Sequence, residues 1–71
     1  MILENINKII IETKNAGLKP KYLVCNYITK SYIPYKTNVK GEELYRGLKI
    51  QTYAFAPKDT IYLHRYKPKF Y

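Results

Sequence analysis

Apolar side chains near the start of the chain return at steps of three and four. Ile2, Leu3, Ile6, Ile9, Ile10 and Thr13 fall on one stripe, with Glu4, Asn5, Lys8 and Glu12 largely on the other side. That spacing predicts an amphipathic helix, with Ile11 widening the stripe or lying exposed. Gly17, after Lys14 and Asn15, suits a left-handed helix cap, the lysine suits the negative end of the helix dipole, and Pro20 closes the element. "YLVCNY" follows over Tyr22 to Tyr27. It is rich in β-branched and aromatic residues and almost continuously apolar, which is the pattern of a central strand.

Later the period changes to two. "GLKIQTY" alternates Leu48, Ile50 and Thr52 with Lys49, Gln51 and Tyr53. "TIYLHRY" alternates Ile61, Leu63 and Arg65 with Thr60, Tyr62, His64 and Tyr66. The connection "AFAPKD", with Pro57 and Asp59, is short enough to make these an antiparallel pair. Residues 28–43 carry neither period, and Pro34 rules out a central strand or a helix interior there. A short irregular or edge strand is expected near Thr29–Tyr35, then a loop through Gly41, with "GEEL" able to start one helical turn.

These elements predict an α+β fold, an N-terminal helix packed on a small three- to four-stranded, mostly antiparallel sheet. Its expected core is Ile2, Ile6, Ile9, Ile10, Leu18, Leu23, Val24, Cys25, Leu48, Ile50, Ile61 and Leu63. The domain is expected over residues 1–66, leaving 67–71 as a basic and aromatic tail. At 71 residues the chain allows one domain, which buries roughly 60% of its unfolded surface, so a deep enclosed active site is hard to build.

Charge changes this picture more than composition does. The net charge is +8, and residues 14–71 hold twelve basic but only three acidic side chains. Such a field attracts an acidic protein surface or nucleic acid. Nine tyrosines add amphipathic contact area, although Lys, Asn, Ile and Tyr all have A/T-rich codons and base composition alone also raises them. No run approaches the ~18 apolar residues of a membrane span. Glu4, Lys8 and Glu12 interrupt any signal-peptide core. The chain is therefore expected to be soluble and cytoplasmic, in a reducing compartment, with no membrane partner.

Catalytic chemistry finds little to work with. Cys25 is the sole cysteine and lies in an apolar run, His64 is the sole histidine, and nothing in their spacing joins them. One Cys, one His and scattered carboxylates make no metal-ligand set, and Glu42 and Glu43 are neighbours whose side chains point apart. No cofactor, metal or enzymatic activity is expected.

The order of signals carries a resemblance. A helix ends at Gly17 and Pro20, an apolar strand runs from Leu23 to Asn26, a Gly-led strand spans Gly47 to Ile50, and Pro57 precedes a last strand over Thr60 to Leu63. This order resembles the central (axial) domain segment of tailed-bacteriophage major capsid proteins. Pro34 argues against a long helix like the one the family carries between the two strands, and its long spine helix, extended loop and peripheral domain have no counterpart here, so a complete capsid protein is not expected. The resemblance implies a phage or mobile-element setting, in host cytoplasm or virion, and a role in protein–protein assembly. It supplies no catalytic residues.

If the two alternating strands pair, Lys49, Gln51, Tyr53, Tyr62, His64 and Tyr66 share one face. Rings interleaved with cations suit stacked bases and phosphates. They also suit a protein hot spot, or simply the solvated side of a small sheet. Lys58, Arg65 and Lys67 extend the basic surface, and the tail could order on a partner. The expectation is a small non-enzymatic binding protein that covers an acidic protein, as a virion assembly component or an inhibitor of a host factor. The alternative is single-stranded or non-specific nucleic-acid binding. A homo-oligomer is compatible with either.

Overall fold

The computed structural model describes residues 2–68. The first helix, α1 (Ile2–Asn15), is the expected amphipathic one, and it buries Ile6 and Ile10. It stops as the sequence requires: Gly17 has φ +84, and its N–H donates to the Lys14 carbonyl at 3.1 Å.

Strand β1 (Tyr22–Cys25) ends earlier than its apolar run suggests. Asn26 turns out to be a helix cap. Its side-chain oxygen accepts from the Ile28 N–H at 2.7 Å and starts α2 (Tyr27–Lys30). A helical turn thus stands where an edge strand was expected near Thr29–Tyr35. It places Thr29 and Ile33 four residues apart, and both are buried. Strand β2 (Lys36–Thr37) is only two residues long.

"GEEL" leads into a strand, β3 (Glu43–Tyr45), not a helical turn. Strand β3 pairs with β4 (Leu48–Thr52) in a tight hairpin with Tyr45 opposite Leu48. Its two loop residues, Arg46 and Gly47, have φ +51 and +80. Two positive φ values in a two-residue loop match the right-handed twist of the flanking strands, and Gly47 adopts one without strain. The last strand is β5 (Ile61–His64).

The fold is α+β, with five strands rather than three or four, in the order β2-β3-β4-β1-β5. Strand β1 runs parallel to β4, and the other three pairings are antiparallel. Strands β4 and β5 are therefore not neighbours, because β1 lies between them. The physical reason is burial. Leu23, Val24 and Cys25 are apolar on both sides of the ladder and are at most 2% exposed, which only a central strand provides.

Both helices pack on one side of the sheet, the helix face. Ile6, Ile10 and Ile33 meet Leu23, Cys25, Leu48, Ile50 and Ile61 there, with Ile2, Ile9, Tyr45 and Leu63 packed around them. Leu18, expected in this core, is 62% exposed, because the chain has already turned at Gly17 away from the helix stripe. Ile33, Ala56 and Thr29 are buried instead. An ion pair between Lys30 and Glu43 ties α2 to β3. The hydrogen bond between them lowers the Glu43 pKa and raises that of Lys30.

Candidate binding face

The opposite side of the sheet, the open face, carries neither helix. Strand register fixes its rows. Lys49, Tyr22 and His64 lie side by side, with Leu44 and Lys36 continuing the row toward the β2 edge. Gln51, Val24 and Tyr62 form the next row. Tyr53 continues the β4 ladder by donating its N–H to the Cys25 carbonyl at 2.9 Å, one step beyond Gln51 on the same side.

Five expected site residues, Lys49, Gln51, Tyr53, Tyr62 and His64, thus share the face, although β4 and β5 do not pair. Insertion of β1 keeps the parity of both flanking strands and adds Tyr22 and Val24 between them. Those two were legible as the alternate positions of "YLVC", but a run apolar on both sides hides its parity. Val24, between Gln51 and a half-exposed Tyr62, is only 2% exposed, so Gln51 and Tyr62 form the accessible surface of this row.

Lys49 is not a free cation. Its Nζ sits 2.9 Å from the Glu42 carboxylate and 6.0 Å from the centre of the Tyr22 ring. Hydrogen bonds from Asn38, then from Lys49, hold the Glu42 carboxyl below its usual range, and Glu42 raises the Lys49 pKa in return. Tyr53 is engaged too, edge-on against Phe55 at 5.7 Å and 74°. Phe55 itself is 85% exposed, and no alternation pointed to it.

The remaining expected residues lie off the ladder. Lys58 is in the connection between β4 and β5, exposed. Arg65, Tyr66 and Lys67 follow the end of β5, with the Arg65 guanidinium 5.7 Å from the Tyr66 ring centre. The part of the expected tail at 69–71 lies outside the described residues. The β4–β5 connection is pinned from below. The Asn26 amide donates to the carbonyls of Ala54 and Ala56, and the buried Thr29 hydroxyl accepts from the Asp59 N–H.

Cys25 and His64 lie on opposite faces of the sheet and cannot act as a pair. Burial pushes the Cys25 thiol up to about 11. That leaves about a hundredfold less thiolate at pH 8 than a free cysteine carries. Iodoacetamide followed by intact mass should therefore label the native protein at least about a hundredfold more slowly than the protein in denaturant. Native labelling at the denatured rate would show that β1 opens freely.

Among the described residues no three His, Cys, Asp or Glu side chains cluster to hold a metal ion, and no helix is long and apolar enough to cross a membrane. No protein-family profile, curated protein or solved structure matches the chain.

Proposed function

We propose that this chain is a small non-enzymatic binding protein whose open sheet face covers an acidic protein surface. The observation that carries this reading is the composition of the face once pairing is known. Its accessible centre is Tyr22, Tyr62 and Gln51 around a covered Val24, and its middle cation, Lys49, is already paired with Glu42. A tyrosine-rich centre with charge at the margin is the anatomy of a protein interface. Single-stranded nucleic acid calls for free cations between the rings. The phage or mobile-element setting, as virion assembly component or inhibitor of a host factor, is supported by the resemblance in the order of elements from Gly17 to Leu63.

The test is fluorescence anisotropy with short single- and double-stranded oligonucleotides at two salt concentrations. Binding should vanish at physiological salt. Tight binding whose salt slope falls by about one in Lys36→Ala or Arg65→Ala would sink the protein-partner reading and establish a polyanion surface.

A further inference from the structure

The sheet ends in an edge strand. Among the described residues β5 neighbours only β1, so its outer row of N–H and C=O groups meets no other strand there. Proteins usually blunt such an edge, because it is a template for another chain. Here it borders a groove of about 330 Å³ at the C-terminal end of α1. Leu18, Pro20 and Leu63 give the groove an apolar lining, and Lys19 and Arg65 stand on its walls. Among the described residues no carboxylate lines it.

The surrounding end of the sheet is basic as well. Lys14 reaches across to donate to the Arg46 carbonyl at 3.2 Å, which brings the end of α1 to the β3–β4 turn. Lys21 enters β1 there, its N–H bonded to the His64 carbonyl at 2.8 Å. The paired carboxylates Glu12, Glu42 and Glu43 bind Lys8, Lys49 and Lys30, not these residues.

We infer that β5 accepts an added strand from an acidic partner: an extended peptide segment in which every second side chain faces the groove, and these groove-facing side chains are in turn carboxylate and apolar. Main-chain hydrogen bonds to the free edge supply affinity, and the groove beside Leu18 and Leu63 receives the apolar side chains. The carboxylates meet Lys19 and Arg65. A net charge of +8 favours such a partner over a second copy of this chain, which would bring the same cations to the same edge. This inference rests on the acidic-protein reading and adds to the open face a second contact, at the β5 edge, for the same partner.

The probe is an octapeptide with glutamate and valine in turn at every second position and serine between them, titrated into the isotope-labelled protein and followed by amide shifts and hydrogen exchange. The outward-facing amides of β5 should slow by about tenfold or more at saturation. Methylating alternate backbone nitrogens of the peptide should abolish binding. The double variant Lys19→Glu, Arg65→Glu should weaken it about tenfold or more, while Lys40→Glu, exposed in the turn between β2 and β3 at the opposite edge of the sheet, leaves it within about twofold. Equal binding of the methylated peptide, or no binding at all, would overturn edge docking. Shifts confined to Tyr22, Gln51 and Tyr62 would overturn it too, yet leave the acidic-protein reading standing. β5 amides already protected in a dimer without peptide would assign the edge to a second copy instead. Tight oligonucleotide binding would remove the reading beneath the inference.

Discussion

Replacing Leu23 with alanine should destabilise the domain by about 3–5 kcal/mol and lower its melting temperature by roughly 12 °C or more. Leu23 is fully buried in the central strand. It lies in one row with Ile50 and Leu63 and belongs to the cluster with Ile6 and Ile10. Truncation there removes the transfer free energy of the lost carbons and leaves a cavity that two flanking strands and a helix cannot close. A domain of 71 residues holds only about 4–10 kcal/mol in all, so the loss is a large fraction of the total. The comparison that gives this force is Leu18→Ala. The same chemical change at a side chain 62% exposed should cost less than about 1 kcal/mol. Urea unfolding followed by circular dichroism measures both. Equal losses at the two positions would mean that Leu18 is packed and the chain turns later than Gly17.

Replacing Asn26 with alanine should cost about 2–3 kcal/mol, unusually much for a polar residue outside the core. One side chain closes two structures at once. Its oxygen caps α2 through the Ile28 N–H at 2.7 Å, and its amide donates to the Ala54 and Ala56 carbonyls at 3.3 and 3.2 Å. The alanine variant strands a helix N-terminus and frees the β4–β5 connection that carries Phe55 and Lys58. Asn26→Asp separates the two roles. Aspartate still caps the helix, but it cannot donate and turns a carboxylate toward two carbonyl oxygens. Its stability should fall nearly as far as that of the alanine variant. A wild-type melting temperature for Asn26→Asp would show that the cap alone matters and the loop contacts contribute nothing.

These two residues mark the limit of what the amino-acid pattern carries. The period of three and four in α1 and the period of two in β4 and β5 each assign side chains to a face, because helix and strand geometry act on a chain locally. Lys49, Gln51, Tyr62 and His64 were therefore legible as one surface. Gly17, as the residue that ends α1, was legible for the same reason. Pairing was not. A short connection between two alternating strands favours a hairpin, yet β1 took the place between β4 and β5, since a strand apolar on both sides gains most from being central. That choice compares burial over the whole chain, and no window of residues contains it.

Residues 28–43 show the same divide. Thr29 and Ile33 look unpatterned until Asn26 starts a helical turn and the core stands ready to receive them. The ion pair joins Lys49 on β4 to Glu42 just before β3, so the neutral centre of the open face could not be read from a list of lysines. The free edge of β5 beside the groove at Leu18 and Leu63 arises the same way, from the order in which five strands share one sheet.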